Sequence, residues 1–271
     1  MKKIIYAILF ISLSLNVQAQ DLDKIAQEIT DEGKYLFRLE KTSWIGTDLF
    51  IEKYKNTENL GGYLSYAINE DSTCCIFWNK NEIPSVVGTI SFDSSLDLNN
   101  ASVDISEREM TDIEKELFQI RNATLHELTT DTLFLFYENT SPNIIPVKYK
   151  GEKKAYILTG PQQTGVVILG NDYLLTFDEE GVLTQKKRIH NNIISMEYDS
   201  SNTKMTVHSH NDTTGDFITP TDICTLMLYA GYAGWPRHYT VSQEYISIWD
   251  CKKNELKIML YDEWEKMEEE K

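Results

Sequence analysis

The 271-residue sequence is poor in cysteine, with four, and none of them stands in a C-x-x-C pair. A thiol-ligated zinc site is therefore not indicated. Basic residues are also few: Lys and Arg total 26 against 42 Asp and Glu, a formal net charge of −16. An acidic surface repels phosphate backbones, and no basic patch interleaved with aromatics appears, so nucleic acid is disfavoured as a partner. Beyond the first twenty residues no apolar run approaches the ~20 needed to span a bilayer, so no stable membrane insertion is expected. There is no G-x-S-x-G turn, no Cys/His pair at a recognisable spacing and no glycine-rich loop able to cradle phosphate.

What is present begins with "MKKIIYAILFISLSLNVQAQD". Lys2 and Lys3 form a basic start, Ile4–Leu15 an apolar run too short to span a membrane, and Val17-Gln18-Ala19 a small-residue cleavage pattern. Residues 1–20 read as a secretory signal peptide, which predicts a periplasmic or secreted protein. No cysteine lies near the cleavage point, so a lipid anchor is not expected. Loss of Lys2 and Lys3 would take the net charge to −18. The remaining chain is long enough for one large domain or two small ones. Over the full sequence the apolar content, 41%, and aromatic content, 11%, are those of a folded globular chain,. Export permits disulfides. Cys224, in a predicted helix, and Cys251, at a predicted strand end, are the candidate pair. Adjacent Cys74 and Cys75 on a strand must face opposite sides.

The patterning predicts an α+β chain with mixed or antiparallel sheets and flanking helices. Leu22, Ile25, Ile29 and Leu36 predict a helix over Asp21–Leu39, interrupted at Gly33. The runs "DLFIEKY", "GGYLSYAI", "CCIFWN" and "VVGTISF" predict an antiparallel meander. Ser106 to Glu109 has the form of a capping box and predicts a helix over Glu107–Leu128, with His126 on its surface. "TLFLFYEN" reads as a buried strand. Asn139–Pro146, polar and with two prolines, is the expected boundary between a region 21–146 of unknown role and a region 147–271. The second region predicts strands in "KKAYILTG", "GVVILGNDYLLTFDEEG", "IISMEYD" and "KMTVHSH". A helix over Asp222–Tyr232 follows, then strands in "YTVSQEYISIWD" and "ELKIMLY" and an acidic tail. His190 and His238 lie in turn-like polar context; His190 precedes a strand expected to pair beside "KMTVHSH".

The segment "VHSHNDTTGDFITPTD", Val207–Asp222, carries the chemistry. Positions i and i+2 of a strand share a face, so His208 and His210 can present two imidazoles to one metal ion. Asp222 can add a carboxylate from the start of the next helix. Two His and one carboxylate is a common catalytic zinc set, and a metal so held activates water. Local structure offers a plainer account. Thr219 is a good N-cap, Pro220 suits the first helical position, and Asp222 at N3 favours the helix dipole. The two accounts are compatible.

His208-Ser209-His210, seven residues, Thr219, two residues, Asp222 resembles the H-x-H-P-x7-S-x2-D signature of the JAMM (JAB1/MPN) metalloproteases. The resemblance covers about Tyr156–Leu260. It implies zinc on His208, His210 and Asp222, Thr219 in the place of the serine that stabilises the transition-state oxygen, and a JAB/MPN-like fold. "PQQTGVVILG" is similar to the family's G-x-L-x-G strand, with Gln163 where the general-base Glu belongs. Two positions depart from the family: Asn211 replaces the proline, and Gln163 cannot take a proton as a carboxylate would. Glu197, on "IISMEYD", is an alternative base, though an exposed strand residue on a hairpin is the better account of it. The resemblance thus implies an exported zinc-dependent peptidase or amidase of reduced activity acting on a protein or peptide. The alternative is an inactive module of the same kind that binds a protein or glycan.

Overall fold

The computed structural model describes residues 2–198 and 203–270, the side chains of residues 2–20 excepted. Of the expected leader, Met1 lies outside the described residues, as does Asp199 at the end of the expected strand "IISMEYD". The chain is α+β. In order its elements are α1 (Lys2–Lys53), β1 (Leu60–Asn69), β2 (Ser72–Asn79), β3 (Val86–Asp93), β4 (Ser102–Asp104), α2 (Asp112–Thr130), β5 (Thr140–Tyr149), β6 (Glu152–Pro161), β7 (Val166–Gly170), β8 (Tyr173–Phe177), β9 (Leu183–Arg188), β10 (Ile193–Glu197), β11 (Thr206–Ser209), α3 (Pro220–Ala233), β12 (Arg237–Val241), β13 (Tyr245–Asp250), β14 (Glu255–Leu260) and α4 (Tyr261–Glu269). Among the described residues no helix is long and apolar enough to cross a membrane.

The chain forms two compact units, Met1–Lys34 with Tyr198–Lys271, and Tyr35–Glu197. The expected boundary segment Asn139–Pro146 begins one residue before β5 and otherwise lies within that strand. β5 is an edge strand in the order β5-β6-β8-β9. An edge strand tolerates proline where the missing N–H would point away from its neighbour. Pro142 and Pro146 are four apart and so share one register position, opposite Thr159 and Ala155 of β6.

In the Tyr35–Glu197 unit, β1 to β3 form an antiparallel meander as expected, and β4, which the sequence did not suggest, adds to its edge. Both faces of β2 are covered, and Cys74 and Cys75 divide between them as strand alternation requires. Cys74 joins a core with Leu117 and Ile120 of α2, Ile157 of β6 and Tyr173 of β8. Cys75 joins Ile45 and Phe50 of α1 and Ile90 of β3. Here "DLFIEKY" is helix, not strand. Phe50 is fully buried and stacks on Phe77 at 3.9 Å between ring centroids, which holds the end of α1 on the sheet. "TLFLFYEN" forms turns in place of a strand, with Phe134 buried and Phe136 exposed. The α2 capping box is Thr111 with Glu114, not Ser106 with Glu109, and the helix starts at Asp112. His126 is exposed, as expected.

The other unit holds a four-stranded sheet in the order β11-β12-β13-β14. β11 and β12 are parallel and the remaining pairs antiparallel. Parallel neighbours need a crossover, and α3 supplies it. The four cysteines are not joined to one another, so the expected Cys224–Cys251 bridge is absent; Cys224 is buried within α3.

Gly33 does not interrupt α1. A Cβ there would lie 2.7 Å from Ile223 Cβ and 3.1 Å from the Pro220 carbonyl oxygen. The glycine lets α1 lie directly against the first turn of α3. Gly33→Ala gains about 1 kcal/mol of helix propensity but overpacks a branched side chain, at a cost of roughly 1–3 kcal/mol. Urea denaturation should show a net destabilisation of up to about 2 kcal/mol. A Gly33→Ala chain more stable than the parent would mean that α1 and α3 need not touch so closely.

Candidate metal centre

Strand alternation puts Thr206, His208 and His210 on one face of β11, while Val207 on the other face is 57% exposed,. His210 lies one residue past the strand, but its N–H donates to the Val241 carbonyl at 2.8 Å and keeps the extended register. Asn211 then turns the chain: its side-chain oxygen accepts from Thr213 N–H at 3.0 Å, and its carbonyl from Thr214 N–H at 2.9 Å. The turn leads to α3, whose start is built as the sequence predicts. Thr219 is extended and caps the helix, Pro220 opens it, and the capping box closes on Asp222.

The same box aims the carboxylate. Asp222 Oδ2 accepts from Thr219 N–H at 3.0 Å and from the Thr219 hydroxyl at 2.8 Å. Asp222 N–H donates back to Thr219 Oγ1 at 3.2 Å. His208 Nε2 and His210 Nε2 lie 2.9 Å apart. Asp222 Oδ2 is 3.8 Å from the first and 3.9 Å from the second. The three side chains are almost wholly buried, at 2%, 0% and 1% exposure.

Two imidazole nitrogens and a carboxylate oxygen are a zinc-type donor set. Ligands about 2.0–2.1 Å from a tetrahedral zinc stand about 3.3–3.4 Å from one another. The three separations bracket that value, so His208, His210 and Asp222 fit a metal ion at their centre and can hold one.

Behind His208 stands a residue whose role the sequence did not disclose. His238, fully buried on β12, places its Nε2 2.7 Å from His208 Nδ1. Its other nitrogen, Nδ1, is 2.7 Å from Thr206 Oγ1. Burial, and then the neighbouring His208 ring, push the His238 imidazole down to about 3, so it is neutral at ordinary pH. Read after Trp235 and Pro236, His238 looks like part of a polar turn. The available signal is the strand–helix–strand order, which lays "RHYTV" beside β11 with His238 opposite Thr206 and Thr240 opposite His208.

The remaining candidates lie in the Tyr35–Glu197 unit. Gln163 is exposed on the turn between β6 and β7. Glu197 is exposed on β10. His190 is buried after β9, its Nδ1 2.7 Å from Asp172 Oδ1. The strand that follows it, β10, pairs with β7 and not with β11, which corrects the expected pairing. β11 takes β12 as its neighbour because α3 returns the chain to that edge. Thr219 stands beside the three donors as expected, and its hydroxyl is engaged with Asp222. Compared with known proteins, the chain matches no family model, and no curated protein and no solved structure is similar to it.

Proposed function

We propose that this is an exported zinc protein of the metallopeptidase or amidase kind, with zinc on His208, His210 and Asp222. One observation carries the reading: three donors of zinc-type chemistry converge within 3.9 Å of one another, and separate local structures hold them there. A strand face fixes the two imidazoles, and a helix cap fixes the carboxylate. Bound there, the metal would supply a Lewis acid able to activate water toward an amide carbonyl. Asp222 would lend its charge to the metal while Thr219 orients it. A protein or peptide is the expected substrate class.

A second reading, a module of the same kind that keeps its metal but has lost catalysis and binds a protein or glycan, has its own support. The position expected to hold a general base is the amide Gln163, and the Thr219 hydroxyl already bonds the Asp222 carboxylate. Loss of a general base typically lowers rate by 10²- to 10⁴-fold. The test is metal analysis of the purified chain together with hydrolysis of a mixed fluorogenic peptide library. Stoichiometric zinc with chelator-sensitive cleavage supports the peptidase. Stoichiometric zinc without cleavage supports the binding module. A chain that takes up no zinc removes both.

A further inference from the structure

We propose that His238 is a positioning residue for the metal centre, acting through His208, with Thr206 as the outer member of a three-residue hydrogen-bond relay. The inference rests on the zinc reading above and assigns two residues that the ligand set does not include. Its basis is the chain of close approaches Thr206 Oγ1 to His238 Nδ1 at 2.7 Å, His238 Nε2 to His208 Nδ1 at 2.7 Å, and His208 Nε2 to His210 Nε2 at 2.9 Å.

Proton counting gives the relay a direction. A metal on His208 Nε2 needs the lone pair of that nitrogen, so the proton of the neutral ring sits on Nδ1. That N–H points at His238 Nε2, which must then accept. His238 consequently carries its own proton on Nδ1 and donates it to Thr206 Oγ1. Each nitrogen of both rings has one role, and no proton is left without a place. The reverse direction, Thr206 donating inward, would put a proton on His208 Nε2 and block the metal. His238 therefore selects the His208 tautomer that can ligate, and fixes the plane of the ring. A hydrogen-bonded partner behind a ligating histidine typically accounts for 10- to 100-fold in metal affinity.

The backbone places the relay without relying on long side chains. Thr206 and His208 share one face of β11, and parallel pairing sets Thr206 opposite His238 on β12. On its other side His238 pairs with Trp249 of β13, fully buried, which leaves the ring little room to turn.

The experiment measures zinc affinity of the full chain by competition with a chromophoric chelator, for the parent and three variants. His238→Phe keeps a ring and removes the acceptor; zinc affinity should fall 10- to 100-fold. His238→Gln can return an oxygen to the position of Nε2 and should stay within about threefold of the parent, the rescue that a purely space-filling role would not produce. Thr206→Val removes only the outer acceptor on a partly exposed strand residue, so it tests the relay even if the Phe variant does not fold. Its affinity should fall about 3- to 10-fold. Nitrogen-15 imidazole spectra of the zinc-loaded chain should show His208 protonated on Nδ1 in the parent. Equal zinc affinity across parent, Phe and Val variants overturns the relay while leaving the metal site standing. A parent chain that binds no zinc overturns the metal reading, and the relay with it.

Discussion

Excess zinc added to the purified chain should raise its melting temperature by roughly 5–10 °C. A ligand at 100 times its dissociation constant stabilises the folded state by about 2.7 kcal/mol. In a chain of this size each kcal/mol moves the midpoint by about 2–4 °C. His208→Ala or His210→Ala should abolish both the bound metal and the shift, because two donors cannot hold zinc against water. His126→Ala, on the exposed face of α2, should change neither. Asp222→Ala separates two roles of one residue. It should lose the zinc-induced shift and also melt lower without metal, since removing a cap partner costs about 1 kcal/mol. Binding should weaken as the pH falls, because imidazoles must be neutral to ligate. If the chain shows no bound zinc and no thermal shift, helix capping and strand alternation are the whole account of Val207–Asp222.

That segment was legible because every signal in it is local. The i, i+2 spacing fixes the face of His208 and His210, and Thr-Pro-Thr-Asp fixes the start of α3. His238 was not legible, since its role depends on which strand α3 returns to, and no residue near it announces the crossover. Gly33 is ambiguous in the sequence for a related reason. A glycine that ends a helix and a glycine that admits a neighbouring helix look the same in one sequence; only Ile223, 190 positions away, distinguishes them. Pro142 and Pro146, in a polar stretch between strand-rich runs, read as a connection in the sequence, whereas an edge strand accommodates them. The meander β1–β3, the strand β6 and the crossover helix were legible because hydrophobic period and turn residues agree there.

The start of α2 was displaced by five residues, and the reason leads to the second large effect. Ser106 with Glu109 and Thr111 with Glu114 both satisfy the capping-box spacing. The structure uses the second because Arg108 is needed elsewhere. Its backbone exchanges two hydrogen bonds with Val86, of 2.8 and 2.9 Å, which holds residues 106–110 out of the helix. Its guanidinium then meets Glu114 as a fork, Nη1 to Oε2 at 2.7 Å and Nη2 to Oε1 at 2.8 Å. Tyr66 O–H and Thr111 N–H also donate to this carboxylate, at 2.9 and 2.8 Å. Burial raises the Glu114 pKa, but Arg108 first, then Thr111 and Tyr66, more than offset it, and the carboxyl stays below its ordinary 4.5. Arg108→Ala leaves a carboxylate of 0% exposure without its counter-charge. Breaking a fully buried pair costs about 3–5 kcal/mol. Arg108 keeps 32% exposure, so water and salt screen the pair and the expected loss at pH 7.5 is about 2–4 kcal/mol,. The sign with pH follows from the depressed value. The stabilisation is fully present above pH 4.5 and is lost as the pH falls below it and through the folded value. Urea midpoints of parent and Arg108→Ala should therefore differ most at pH 7.5 and by less at pH 4, which lies below the ordinary 4.5,. Arg108→Lys should recover only part of the difference, because an ammonium cannot make the two-pronged contact. A gap between parent and Arg108→Ala that is equally wide at both pH values would show that Arg108 acts through packing of its stem and not through the charge of Glu114.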